Sequence, residues 1–188
     1  RTRDHNFSLK GLTGVDLCGR TVGLIGTGKV GQCFASICSG LGMDVIASDP
    51  VKSWGKGIEY VSLSELFRRS DVISLHCPLT QSTYHVIDRQ SRRRMKDGVF
   101  IINTSRGARI DSEALLEAIK NGKIGGAGLD VYEEESDIFF KDISDRVIRD
   151  DILDILLCQP NVLITSHQAF LTHEALKAIA ETTLQNLR

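Results

Sequence analysis

Thr21-Val22-Gly23-Leu24-Ile25-Gly26-Thr27-Gly28-Lys29-Val30-Gly31 runs an apolar stretch directly into three spaced glycines. Residues 21–26 read as a buried strand, and the glycines have the G-x-G-x-x-G spacing. That spacing is weak as a bare string; following a strand and opening a helix gives it weight. The helix is expected to turn Val30, Phe34, Ile37, Cys38 and Leu41 toward the core, since they recur at helical intervals. Gly26 permits a tight turn, Gly28 lets the backbone approach a pyrophosphate, and Gly31 lets the helix pack close to the strand. Free amides at the helix start carry partial positive charge. Gly26, Thr27, Gly28, Lys29, Val30 and Gly31 therefore form a candidate dinucleotide loop.

Outward from this loop the pattern repeats. Asp44–Ser48, Val72–His76, Val99–Asn103, Ala127–Val131 and Val162–Thr165 read as further strands, with amphipathic stretches between most of them. Continuous rather than alternating apolar runs imply a sheet covered on both faces, which predicts a doubly wound, parallel α/β fold. Ser62-Leu63-Ser64-Glu65 has the form of a capping box. Asp111 or Ser112 caps a helix whose inner face is Leu115, Ala118 and Ile119, and Gly122 closes it. About residues 133–160 an irregular acidic stretch is expected. A last helix from about Thr172 is expected to turn Leu176, Ile179, Leu184 and Leu187 inward. The division predicted is a connector over 1–20, a dinucleotide-binding domain over 21–171 and a returning helix over 172–188.

The 188 residues carry a net charge of −1, so no overall field draws in nucleic acid or an anionic membrane. Arg92-Arg93-Arg94 reads as a solvated helix face. Five scattered cysteines form no CxxC pair, which predicts a reduced, cytoplasmic protein without a metal site. No run approaches the ~20 apolar residues of a membrane helix. The chain opens at Arg1 rather than a methionine, which reads as a fragment or processed product.

In such sheets the ligand lies across the carboxyl ends of the strands. Asp49 ends the second strand, where a carboxylate binds both adenosine ribose hydroxyls and repels a 2′-phosphate, favouring NAD over NADP. Cys77-Pro78, Thr104-Ser105-Arg106, Asp130 and Ser166-His167 follow the later strands and should face the same crevice. Reducing a 2-oxo acid needs these residue types. A guanidinium grips the substrate carboxylate in two places, and a histidine near neutrality protonates the developing alkoxide. A carboxylate beside the histidine favours its charged form. Arg106, His167 and one acid of Glu133-Glu134-Glu135 meet that need, and spacing leaves the choice of glutamate open. An ion-pairing Arg106 and a merely structural His167 are the competing reading.

Gly26–Gly31, Asn103-Thr104-Ser105-Arg106-Gly107, Gly128-Leu129-Asp130-Val131-Tyr132-Glu133 and Pro160 through His167 together resemble the D-isomer-specific 2-hydroxyacid dehydrogenases. The resemblance covers nearly the whole chain. It implies Arg106 as the substrate-carboxylate residue, His167 as acid/base and Glu135 as its paired acid. It places Asp130 near the nicotinamide carboxamide and Cys77, Pro78, Thr83, Thr104 and Ser105 along the cofactor cleft. Asp137 through Asp142 and His167-Gln168-Ala169-Phe170 are similar to the D-lactate and D-hydroxyisocaproate branch; Leu171 departs from the tyrosine expected there. Formate dehydrogenases, with glutamine at the place of Glu135, are set aside. The resemblance implies a Rossmann-type domain, NAD as cofactor, a small 2-oxo or 2-hydroxy acid as substrate, and a homodimer. It also implies that a substrate domain of roughly 100 N-terminal residues and a shorter C-terminal part lie outside this chain. On that expectation the chain binds NADH but turns over feebly. The alternative is a nucleotide-sensing module of the same fold, like the transcriptional corepressors.

Overall fold

In the computed structural model, which describes residues 2–52, 57–145 and 149–187, seven parallel strands form one sheet. They are β1 (Thr21–Ile25), β2 (Asp44–Ser48), β3 (Glu59–Tyr60), β4 (Val72–Leu75), β5 (Val99–Asn103), β6 (Ile124–Leu129) and β7 (Val162–Ile164). The spatial order is β3-β2-β1-β4-β5-β6-β7, so the winding reverses between β1 and β4. That reversal opens a crevice at the carboxyl ends of the central strands. The six expected strands are all present. The two-residue edge strand β3 is additional and too short to leave a periodic signal. β6 begins earlier than expected, because Gly125 and Gly126 lie against the Gly98 carbonyl and the Phe100 ring where a side chain would collide.

The helices are α1 (Lys29–Gly40), α2 (Leu63–Arg69), α3 (Arg89–Arg94), α4 (Ser112–Lys120), α5 (Asp151–Leu157) and α6 (His173–Asn186). α4 matches its reading: Asp111 accepts from the Ala114 amide at 2.9 Å, and Leu115, Ala118 and Ile119 are buried. Ser62 caps α2 through the Glu65 amide, but the Glu65 carboxylate pairs with Arg68 rather than closing a box. α5 corrects the expectation of an irregular stretch. Asp150 caps it with bonds to the Ile152 and Leu153 amides, and Leu153 and Leu156 are buried. The arginine run divides: Arg93 and Arg94 face solvent, whereas Arg92 reaches the Ala114 carbonyl and Glu117.

Two expected inner faces need correction, that of α1 in part: Cys38 is buried as expected and Phe34 packs partly buried against the smaller core. On α1 the buried residues are Gly31, Ala35 and Cys38, while Val30 and Ile37 are 67% and 60% exposed and Leu41 is half exposed. The helix turns its smallest residues to the sheet because only they permit the approach; a side chain on Gly31 would meet the Gly26 carbonyl at 2.4 Å. α6 buries none of its residues, so Leu176, Ile179, Leu184 and Leu187 are exposed. Among the described residues nothing packs deeply enough against that helix to cover them.

The larger core lies between one sheet face and α2 to α5, centred on Leu66, Ile73, Ile101, Leu115, Ile124 and Leu156. The smaller one, with Val22, Leu24, Ala35 and Val45, lies under α1. Double winding is therefore complete over β1 and β2. Toward β5 and β7 the second face stays open, with Phe100 39% and Leu163 68% exposed. Residues 2–20 are exposed.

Candidate functional site

The glycine loop closes tightly. The Gly26 amide donates to the Ser48 carbonyl at 3.1 Å, and Gly26 has φ +99°, a conformation that suits glycine. A side chain there would also meet the Cys77 amide nitrogen at 2.5 Å, so β4's end abuts the loop. Gly28 faces open space and caps α1 with backbone alone, leaving the first amides of the helix without a side-chain partner. Lys29 and Val30 are exposed beside it, and Thr27 is buried. Asp49 is where the sequence puts it, at the end of β2. One of its oxygens accepts from the Thr27 amide at 2.6 Å and hydroxyl at 3.1 Å, the other from the Val51 amide at 2.8 Å. The acid thus also braces the loop.

The later strand ends meet the same crevice. Cys77 is buried, and burial pushes its thiol up from the ordinary range. Thr83 donates to the Pro78 carbonyl at 2.7 Å and accepts from the Thr80 amide, knotting the loop after β4. Beyond β5, Thr104 is exposed and the Ser105 hydroxyl lies 2.9 Å from the Leu75 carbonyl. Asn103, fully buried, donates to the Arg106 carbonyl at 2.9 Å and accepts from the Ser105 amide, shaping the Arg106 turn. Its polar end on the most apolar strand is the signal that could have marked it.

His167 and Glu135 are brought together: Nδ1 lies 2.8 Å from Oε1, with both side chains largely covered. The other Glu135 oxygen accepts from the Tyr132 amide at 3.0 Å, which fixes the carboxylate. With Nδ1 against an acid, Nε2 is left to exchange a proton with a ligand. His167 has φ +55°, a conformation a β-carbon disfavours, held by its amide's 2.7 Å bond to the Asp130 carbonyl. The Asp130 side chain, expected beside the nicotinamide carboxamide, is buried and engaged within the protein. It accepts from the Thr165 hydroxyl at 2.5 Å and the Gln168 and Ala169 amides at 2.9 Å, so it builds the turn that presents His167. Burial pushes this carboxyl up, but those bonds and the charge of His167 outweigh it and hold it below the usual range.

Arg106 is exposed and donates to the Ser105 carbonyl at 2.7 Å; no side-chain contact joins it to His167 or Glu135. The turns themselves interlock. A side chain on Gly107 would lie 2.0 Å from the Tyr132 carbonyl group, so the Arg106 turn is seated on the loop that leads to Glu135.

Three features escape the sequence reading. Glu133 pairs with a second histidine, His85, at 2.6 Å. His76 lies beneath the loop, its Nε2 2.9 Å from the Ser74 hydroxyl, and burial followed by the Arg109 charge lowers it to about 4. Arg109 is buried between Ser105 and Cys77.

Residues 1–169 match the family described as D-isomer specific 2-hydroxyacid dehydrogenase, NAD binding domain. The whole chain is 56% identical over 190 residues to the D-lactate dehydrogenase of Escherichia coli (strain K12), covering 58% of it. Among solved structures, Salmonella D-lactate dehydrogenase is 57% identical with a TM-score of 0.88, matched over 100% of this chain and 58% of that one. The pyruvate reductase of Chlamydomonas reinhardtii superposes with a TM-score of 0.96 at 46% identity, over 99% of this chain and 58% of that one. The chain thus spans about 58% of the length of these relatives.

Proposed function

We propose, on the premise that the chain belongs to the D-isomer specific 2-hydroxyacid dehydrogenases, that it holds NAD(H) and the acid–base apparatus for interconverting a small 2-oxo acid and its D-2-hydroxy acid. The pyruvate and D-lactate pair is the substrate class favoured, in keeping with the names of the relatives. The observation that carries the reading is the 2.8 Å contact between His167 and Glu135 at the mouth of a crevice entered by the glycine loop.

The residues suit a dinucleotide. The uncapped start of α1 and the open space over Gly28 accommodate a diphosphate, and Asp49 ends the strand beside it. NADH, when bound, supplies the hydride. Arg106 on its exposed turn takes the substrate carboxylate in a forked grip. His167 delivers its proton from Nε2 to the oxygen that becomes the hydroxyl, and Glu135 fixes the ring through Nδ1. Cys77, Pro78, Thr83, Thr104 and Ser105 line the cleft, and Asp130 acts through the His167 turn. Residues 21–171 form the dinucleotide-binding domain. Because Arg106 stands in solvent, water has access to the reacting centre, and turnover by these residues alone is slow.

The protein works as a homodimer in a reducing, cytoplasmic setting. Exposed apolar residues on α1 and five unpaired cysteines support this. The corepressor-like sensing alternative finds no support among the relatives, which are dehydrogenases and a reductase.

The test is NADH oxidation with pyruvate, with NADH binding followed by fluorescence in the same samples. His167→Ala should lose at least about 10²-fold in rate while keeping its NADH affinity. An unchanged rate in that variant would refute the assignment.

A further inference from the structure

Arg109 is 3% exposed and ends the turn Gly107–Arg109. Its guanidinium reaches inward beneath the carboxyl ends of β4 and β5, where it donates to the Ser105 hydroxyl and touches the Cys77 thiol. Its Nε is buried without any hydrogen-bond partner. Among the described residues no carboxylate pairs with it; the groups that bear on its charge are the Cys77 side chain, which supports it, and Arg106, of like sign. A buried cation without a counter-charge is destabilising, and replacing such groups by apolar residues of similar shape commonly stabilises a protein. Rule-breaking residues of this kind gather at functional sites.

The position is informative on the dinucleotide reading proposed above, on which this step rests. With the adenosine ribose at Asp49 and the diphosphate at the start of α1, the nicotinamide half would reach past β1 toward the ends of β4 and β5. Cys77 and Ser105 form the floor there, and the Arg109 guanidinium lies immediately under both. Its field is felt locally: after burial, it is the cause that lowers His76, the residue before Cys77. Through a floor poor in water, screening is weak. The nicotinamide ring is cationic in NAD⁺ and neutral in NADH, so a fixed positive charge beneath it acts on one redox form and spares the other.

We infer that Arg109 is a specificity-determining residue for the redox state of the cofactor, raising the preference for NADH over NAD⁺ by repelling the oxidised ring. It favours capture of the reduced form and release of the oxidised one, the sequence of events that reduction of an oxo acid requires.

The test measures the dissociation constants of NADH, NAD⁺ and ADP-ribose by calorimetry on the purified chain, with thermal unfolding of the ligand-free protein alongside. Arg109→Met and Arg109→Gln remove the charge; Arg109→Lys keeps it. The NAD⁺-to-NADH ratio of dissociation constants should fall about tenfold in both neutral variants, by tighter NAD⁺ binding, and persist in the lysine variant. ADP-ribose, which lacks the ring, should bind all forms alike, and the neutral variants should melt no lower than the parent. A ratio within about twofold of the parent in folded neutral variants overturns the inference alone. Failure of both neutral variants to fold also overturns it, since the cation would then be a structural necessity. If the parent binds none of the three ligands, the dinucleotide reading falls and this inference falls with it.

Discussion

His76 sits under the glycine loop with Nε2 2.9 Å from the Ser74 hydroxyl and its ring 5.1 Å from that of Phe34. Burial first, and the Arg109 charge second, lower it from the ordinary 6.5 to about 4 in the folded protein. The unfolded chain therefore binds a proton more readily than the folded one between those values. The stability this neutral ring contributes is complete above pH 6.5 and is lost as the pH falls toward 4. Between pH 7 and pH 5 the loss should be about 1–2 kcal/mol. Denaturant titrations at the two pH values should show that much less pH dependence in His76→Gln than in the parent, and equal slopes would contradict the burial argument. At this scale the sequence marks His167 and Arg106 by their places after strands, but leaves Glu133, Glu134 and Glu135 equivalent. The fold separates them: Glu135 meets His167, Glu133 meets His85, and Glu134 is exposed. Arg109 has no such mark, because whether an arginine in an apolar run is buried depends on packing distant in sequence.

Among the elements, the interlocked turns after β5 and β6 hold the most chemistry. Gly107 has backbone rather than side-chain neighbours, with the Tyr132 carbonyl group at 2.0 Å and the Glu133 nitrogen at 2.4 Å from where a β-carbon would stand. Gly107→Ala must push the Tyr132–Glu135 loop away from the Arg106 turn. It should cost about 1–3 kcal/mol of stability and lower kcat more than it weakens NADH binding. Unchanged unfolding and unchanged kcat would show that the two turns are not coupled. Strands are the most legible elements, because a strand buried on both faces is a bare apolar run ended by a turn residue. The facing of α1 is legible only in part. Of the expected set, Phe34 and Cys38 pack on the core, whereas Val30, Ile37 and Leu41 give way to Gly31 and Ala35, one residue along from Val30 and Phe34. Hydrophobicity favours the larger residues, whereas the volume available against the sheet selects the smaller ones. α5 is obscured for another reason: seven residues make too few turns to establish a period.

At the scale of the molecule, the seven-stranded parallel sheet with its reversal between β1 and β4 agrees with the doubly wound reading, and its covering is thinner toward β5 and β7. Apolar side chains are exposed on α1, on α6 and on the sheet face at Phe100 and Leu163. No helix among the described residues is long and apolar enough to cross a membrane, and the proposed homodimer would cover part of these faces. Sedimentation velocity should therefore show species larger than the 20.7 kDa chain; a single monomeric boundary at micromolar concentration would contradict that. Sequence alone cannot foresee these open faces, since periodicity reports that a residue is apolar and not whether anything covers it. Whether the crevice is an NAD site braced by Asp49 is decided by titrating the chain with NADH and with NADPH in parallel. Saturable NADH binding at one site per chain and markedly weaker NADPH binding are expected, because the Asp49 carboxylate repels a 2′-phosphate. No saturable NADH binding, or equal affinity for the two, would contradict it.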